Sequence, residues 1–240
     1  MRRLFVGLIC VLTGVGVQMV YSASLTSMPS QAETVFLSKH LVYLVFAACC
    51  GLVASRISSA TLQQLARPAL IVLVILLAVV LVPEIGTRVN GSQRWLRFGG
   101  MSLQPSELGR LILPIVAAKL LTDLRSKGFA FRTVPQTILP LILVLPLVVR
   151  EPDLGAAVFL AIGFVITLFI GGWPLKYFVL SLGSVIPVAA SLLILKPYQM
   201  QRITGFIAAW QDLSQAPWQI RQSLLSIGAG GLHGTGVGSG

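Results

Sequence analysis

The chain has 240 residues, of which 55% are hydrophobic and only 10% charged, with a formal net charge of +11. A soluble globular chain carries about 25% charged residues, and mean hydropathy here is +0.88, so composition excludes a soluble domain, a disordered tail and a nucleic-acid binder. The basic residues are scattered between apolar runs and build no patch on a polar fold, which makes a lipid bilayer the expected solvent.

A spanning helix needs about 20 mostly apolar residues, because every backbone polar group must be satisfied within the segment. Seven segments qualify: Leu4 to Tyr21, Val35 to Ala54, Pro68 to Val82, Leu108 to Leu121, Val134 to Val149, Leu154 to Ile170 and Tyr177 to Leu195. The expected fold is therefore all-α, a polytopic membrane helical bundle. Arg2 and Arg3 ahead of an apolar stretch ending in Ser22-Ala23-Ser24 also suit a secretory signal peptide. The stretch exceeds the usual h-region and further spans follow it, which favours a true span. Cys10, Cys49 and Cys50 lie inside apolar runs, with no spacing that supports a disulfide framework or a zinc site.

With Lys39 and Lys119 set aside near span ends, the other Lys and Arg divide equally, eight to each side of the alternating topology, and so do not orient the chain. The acids do. Glu33, Glu84, Glu107, Glu151, Asp153 and Asp212 share the face opposite the N-terminus, while Asp123 alone lies on the N-terminal face. A predominantly basic face with short loops suits an anionic inner leaflet, which places the N-terminus in the cytoplasm. The mixed outer face then calls for a polar working site.

Three outward segments carry the unusual chemistry. Residues 89–110 open with an Asn90-Gly91 turn and close with a helix start, where Pro105 suits the first turn and Glu107 faces the positive end of the helix dipole. Capping alone accounts for these two. Arg94, Trp95 and Arg97 form a stronger set, because guanidinium groups can hold a phosphate bidentately while an indole anchors at headgroup level. In the second segment, Arg150 to Gly155, Pro152 and Asp153 again read as a helix start, and Arg150 and Glu151 as a solvated pair. The third runs from Lys196 to Gly240, and its only acid is Asp212. A lone carboxylate near Arg202 and Arg221 suits a general base or a metal ligand, while Gln215 three residues on suits a loose capping box. Seven glycines among residues 228–240 form neither a Walker loop nor a dinucleotide fingerprint.

Five pieces of this sequence together resemble the SEDS family (shape, elongation, division and sporulation): Asn90-Gly91-x-x-Arg94-Trp95, Gln104-Pro105-Ser106-Glu107-Leu108, Pro152-Asp153-Leu154-Gly155, Tyr198-Gln199-x-Gln201-Arg202-Ile203, and Gln222-Ser223 through Ile227 to Leu232. The resemblance covers nearly the whole chain and implies a single SEDS transmembrane domain, 1–240, with a large extracytoplasmic loop over 196–240. Family members have ten spans, so the expectation is a chain lacking about three helices. The resemblance further implies a peptidoglycan glycosyltransferase that polymerises lipid II at the outer face of the bacterial cytoplasmic membrane, beside a class B penicillin-binding protein and other divisome or elongasome proteins. The spacing Trp210-x-Asp212 and the glycine run look more like the division branch than the elongation branch.

By the same resemblance Asp212 stands at the catalytic position, with Trp218-Gln219 where the family has Tyr-Gln, and Gln222 and Ser223 at the Gln-Ser. Two departures are Asp212-Leu213 for the usual Asp-Pro, and Gln215-Ala216-Pro217-Trp218 for Gly-x-Gly-Tyr. Arg110 replaces a usual Lys, which keeps the charge and changes the hydrogen-bond geometry. The implied mechanism has Arg94, Arg110 and Arg202 hold the donor pyrophosphate, with Trp95, Glu107, Asp153, Gln219, Gln222 and Ser223 lining the substrate site. Asp212 takes the proton of the acceptor sugar's 4-hydroxyl as it displaces the pyrophosphate with inversion. A carboxylate with a pKa of about 4 is a weak base unless its site raises that value or a divalent cation takes part; the sequence leaves the cofactor open. A lipid II flippase, working through Glu107, Arg110 and Lys119, and a scaffold that recruits a transpeptidase are the rival readings.

Overall fold

The computed structural model describes residues 2–27, 37–89, 92–98, 101–125, 133–181, 183, 197–208, 210, 212–236 and 238. They form helices α1 (Arg2–Ser27), α2 (Ser38–Arg56), α3 (Ser59–Val80), α4 (Pro105–Arg125), α5 (Val134–Arg150), α6 (Leu154–Ile170), α7 (Pro197–Ala208) and α8 (Trp218–Gly230). Strands β1 (Gly86–Val89), β2 (Ser92–Phe98) and β3 (Met101–Leu103) lie between α3 and α4. The chain divides into two compact units, residues 57–196 and residues 1–56 with 197–240.

In the first of these units α4 is central, packed against α3 and α6 and touching α5. Leu73 and Leu77 of α3, Leu113 and Ala117 of α4, Val144 and Val148 of α5 and Phe164 of α6 form a core from which solvent is excluded. Gly109 lets α4 approach α6 closely: a Cβ there would stand 3.2 Å from a Leu160 methyl. Small residues at such contacts matter in lipid, where helix association depends on packing because the outside is as apolar as the inside. The outer faces accordingly carry exposed Ile71, Ile75, Leu111, Ile142, Phe159 and Ile166.

The hydropathy reading matches α6 at both ends and α5 to within one residue. Helix α3 begins nine residues before the expected Pro68, because Ser58 caps it by accepting from the Thr61 N–H at 3.1 Å and the polar first turns extend the apolar run. Helices α1, α2 and α3 are long and apolar enough to cross a membrane, while α5 and α6 are shorter apolar helices. Cys10, Cys49 and Cys50 are exposed on α1 and α2, the surfaces that would face lipid. Of the seventh expected span, Tyr177 to Leu195, residues 177–181 and 183 are helical, and 182 and 184–195 lie outside the described residues.

The all-helical expectation needs one amendment. Residues 86–103 form a three-stranded antiparallel sheet in the order β1-β2-β3, with Val89 opposite Ser92 and Leu96 opposite both Gly86 and Leu103. Thr87 stands opposite Trp95 and Arg88 opposite Gln93, so Arg94 is the extra residue of a bulge in β2. The sheet is bolted to the end of α3: Gln93 Nε2 donates at 3.1 Å to the Val80 carbonyl and at 2.8 Å to the Val82 carbonyl, which also accepts from the Ile85 and Gly86 N–H groups. Gly86 lies against the Val80 carbonyl, where a Cβ would clash. Asn90-Gly91, the turn read from sequence, lies outside the described residues.

In the other unit, α1 and α2 present apolar side chains outward, among them Phe5, Leu12, Phe46 and Leu52. The backbone N–H of Gly238 donates to Ser22 Oγ at 2.8 Å, tying the glycine tail to α1. Gly231, Gly234, Gly236 and Gly238 all take positive φ, which explains glycine at these turns.

Phe164→Ala removes the largest fully buried side chain of the core. It is expected to destabilise the detergent-solubilised protein by about 3–5 kcal/mol, read as a lower unfolding midpoint. A loss below 1 kcal/mol would place Phe164 outside a tightly packed core.

Candidate functional site

The best-organised polar cluster stands where α5 turns into α6. Inward residues of α5 run Val134, Thr137, Leu141, Val144 and Val148, and the same three-four spacing carries on to Glu151 just past the helix end. Glu151 is 0% exposed, and neither carboxyl oxygen has a hydrogen-bond partner. The solvated Arg150 and Glu151 pair expected from sequence is thus corrected: helical periodicity, which outlasts the last helical turn, sets the direction of Glu151. Burial first, and the neighbouring Asp153 charge second, push its pKa from 4.5 up to about 8, with Arg94 pulling the other way.

Asp153 caps α6, its Oδ1 accepting from the Ala156 N–H at 3.0 Å. Its Oδ2 accepts from Arg94 Nη1 at 2.9 Å and from Gln104 Nε2 at 3.2 Å, and Gln104 Nε2 also donates to Ser106 Oγ at 2.9 Å. One carboxylate therefore joins the start of α6, strand β2 and the start of α4. The Arg94 and Asp153 side chains are 29% and 14% exposed, shielded enough for the pair to matter and open enough for a ligand to reach. Gln104 belongs to this cluster although its sequence signal, a polar amide just before Pro105, marks only a helix start.

Of the expected Arg94, Trp95 and Arg97 set, Arg94 and Trp95 are half-buried and Arg97 is exposed, and the bulge at Arg94 interrupts the alternation of β2. On α4, Arg110 Nη1 meets Glu107 Oε2 at 2.9 Å, with both side chains nearly half exposed, and the guanidinium carbon lies 4.8 Å from the Phe159 ring centroid. Glu107 holds the first turn of α4 as its dipole favours. Below Arg110 a small apolar recess is lined by Gly109, Leu113, Phe159 and Gly163.

Asp212, Gln219, Gln222 and Ser223 belong to the other unit. Asp212 is exposed and caps a short 3-10 turn, Leu213–Gln215, accepting from the Ser214 N–H at 2.8 Å and the Ser214 hydroxyl at 2.7 Å. Gln219, Gln222 and Ser223 are exposed on α8, where Ser223 Oγ donates to the Gln219 carbonyl at 2.9 Å. Arg202 lies on α7, and its side chain is outside the described residues. Among the described residues no group of three or more His, Cys, Asp or Glu gathers as a metal site would require.

The cell cycle protein family that comprises FtsW, RodA and SpoVE matches residues 2–240. The chain belongs to this family. A probable peptidoglycan glycosyltransferase FtsW of Trichlorobacter lovleyi is 35% identical over 240 residues, covering 97% of this chain and 62% of the relative. Another of the same description, from Aromatoleum aromaticum, is 37% identical over 236 residues, covering 94% of this chain and 56% of its own. The chain thus spans less than two thirds of either relative. Among solved structures, a chain from a study of polymerization and crosslinking by a peptidoglycan synthase complex is 28% identical with a TM-score of 0.66, covering 92% of this chain and 65% of that one. The rod shape determining protein RodA of Thermus thermophilus is 26% identical with a TM-score of 0.59, covering 74% of this chain and 57% of that one. This FtsW/RodA/SpoVE member shares with them a mostly helical fold containing several apolar helices.

Asp153→Ala deletes both the α6 cap and the partner of Arg94, and is expected to cost about 1–3 kcal/mol, discounted for partial exposure. Asp153→Asn keeps a cap acceptor and is expected to cost about half as much. Denaturation of the two variants side by side checks this; equal losses would show that the cap acceptor contributes nothing and that the charge of Asp153 accounts for the whole effect.

Proposed function

We propose that this protein is a peptidoglycan glycosyltransferase that polymerises lipid II on the outer face of the bacterial cytoplasmic membrane. The observation that carries the reading is the family match over residues 2–240, together with relatives described as probable peptidoglycan glycosyltransferases at 35% and 37% identity. The geometry is consistent with it. Arg94 and Arg110, each held by a carboxylate at 2.9 Å, stand at the end of the α3 to α6 bundle where α4 and α6 begin. Their guanidinium forks suit the donor pyrophosphate and the charge that grows on it as the glycosidic bond forms. Arg202 joins them in this reading.

Asp212 acts as the general base. It accepts the proton of the acceptor sugar's 4-hydroxyl, the oxygen attacks the donor's anomeric carbon with inversion, and undecaprenyl pyrophosphate departs. Ser214, which donates to both carboxylate oxygens, fixes the orientation of Asp212 and must yield one of them when the acceptor arrives. Trp95, Gln219, Gln222 and Ser223 contribute to the substrate surface. Relatives described as FtsW support a division role in this reading, and the similarity to a chain of a peptidoglycan synthase complex supports a class B transpeptidase as the partner.

The flippase reading draws less support. The charged residues that motivate it pair locally on α4, Arg110 with Glu107 in the first turns and Lys119 with Asp123 at 2.7 Å in the last two. Such pairs leave the middle of that helix apolar.

Polymerisation of purified lipid II by the full-length protein, alone and with its class B partner, tests the assignment. Asp212→Ala is expected to reduce glycan synthesis by at least about 100-fold, with a stability loss of about 1 kcal/mol or less from removing an exposed cap. Equal synthesis by wild type and variant would remove Asp212 from the chemistry. Vesicle transport that persists in the variant, with no polymerisation by either protein, would establish the flippase instead.

The orientation has its own test. With Cys10, Cys49 and Cys50 replaced, Glu84→Cys, at an exposed position beside the sheet, is expected to react with a membrane-impermeant maleimide from the outside of intact cells. Labelling only after permeabilisation would invert the topology.

A further inference from the structure

Glu151 stands out among the described residues as the one whose buried side-chain oxygens lack any hydrogen-bond partner. It is 0% exposed in the turn between α5 and α6, two residues before the cap of α6. The charged groups that act on it are Asp153, from its own turn, and Arg94, from β2. On the adjoining start of α4, Glu107 and Arg110 are engaged with each other. Arg94 is committed to Asp153 at 2.9 Å. An ionised Glu151 would therefore be a second carboxylate contending for one guanidinium, without water to offset its desolvation. A neutral carboxylic acid at the same place creates no such conflict.

We propose that Glu151 is a protonated positioning residue whose ionisation state sets how strongly Arg94 attracts an anionic diphosphate headgroup. This rests on the reading of Arg94 as a headgroup ligand. With Glu151 neutral, the charges of Arg94 and Asp153 balance, and a diphosphate engages the remaining N–H donors of the fork or displaces a single carboxylate. With Glu151 ionised, two carboxylates confront one guanidinium, and the approaching anion meets net negative charge.

Burial and the Asp153 charge raise the Glu151 pKa to about 8, so the acid is neutral at physiological pH and titrates just above it. The unfolded chain releases this proton near 4.5, whereas the folded protein keeps it. The resulting stabilisation is complete below 4.5, declines as pH rises through the interval and is gone above about 8.

The test compares the full-length protein with Glu151→Gln, an isostere that cannot ionise, and with Glu151→Leu, which is neutral and similar in volume. Undecaprenyl pyrophosphate is the probe, titrated from pH 6.5 to 9.5, and the thermal midpoint is followed over the same range. Wild-type affinity is expected to fall about tenfold more than that of Glu151→Gln, which reports only the ligand's own titration. The wild-type midpoint is expected to drop with pH while both variants stay level. Parallel affinity curves, or a wild-type midpoint as level as that of the variants, would overturn the proposal. Absence of binding by every form at every pH would overturn it too, by removing the headgroup role of Arg94. Failure of lipid II polymerisation with pH-dependent binding intact would sink only the glycosyltransferase reading.

Discussion

The ion pair between Arg94 and Asp153 holds together three parts of the 57–196 unit that sequence separation keeps apart. Asp153 belongs to α6 as its cap, Arg94 to β2, and Gln104, which shares the same carboxylate oxygen, to the approach of α4. A partly shielded carboxylate with three donors is strongly held, because removing any one leaves the others to bear the desolvation of the charge. The short sheet has little core of its own, and two-stranded or three-stranded ribbons of this size are marginal alone. Its position follows from two neighbouring residues of the central strand, Arg94 on Asp153 and Gln93 on the end of α3. The polar residues of the outer face thus serve structure first, and whatever chemistry they support is built on that placement.

Lipid solvation explains why so much rests on few polar contacts. Apolar side chains of α3 to α6 gain little by leaving a bilayer for each other, so close packing at Gly109 and interhelical polar contacts must specify the arrangement. At the opposite end of the bundle Arg125 donates to the Gly171 carbonyl at 3.2 Å, and Arg67 approaches Asp123 at 3.7 Å. Arg125 thereby ties the end of α4 to the end of α6, whereas the exposed Arg67 contact contributes little.

What the sequence reveals depends on whether local or distant forces decide. Helix α6 is legible from Leu154 to Ile170 because a turn with a capping Asp opens it and a Gly pair closes it. Pro105, Glu107 and Asp153 are legible as helix starts for the same local reason. The sheet is not, because strands of four, seven and three residues broken by Arg88, Arg94 and Arg97 give too little alternation to register. The partnership of Arg94 with Asp153 spans 59 residues and arises only when the bundle assembles. Glu151 is an intermediate case: its charge suggests solvent, whereas the spacing from Val144 and Val148 points it inward, and the apolar stripe prevails.

In the proposed function, paired arginines at a membrane surface have a chemical use beyond stability. An unpaired guanidinium near lipid would be costly to keep in place, and a fully buried pair would be too tightly closed to open for a ligand. Arg94 and Arg110 occupy intermediate settings, 29% and 43% exposed, with a carboxylate at 2.9 Å in each case. A diphosphate arriving at such a pair replaces one anion with another of greater charge and does not have to desolvate a free cation. The carboxylate has already oriented the fork and paid most of the ordering entropy. Asp153 can withdraw least, since it also caps α6, whereas Glu107 has only the weaker attraction of a helix dipole to hold it. In the proposed function this asymmetry gives the two arginines different parts: Arg94 as a fixed donor that a headgroup would join, and Arg110, backed by the Phe159 ring, as a movable one that would exchange its partner.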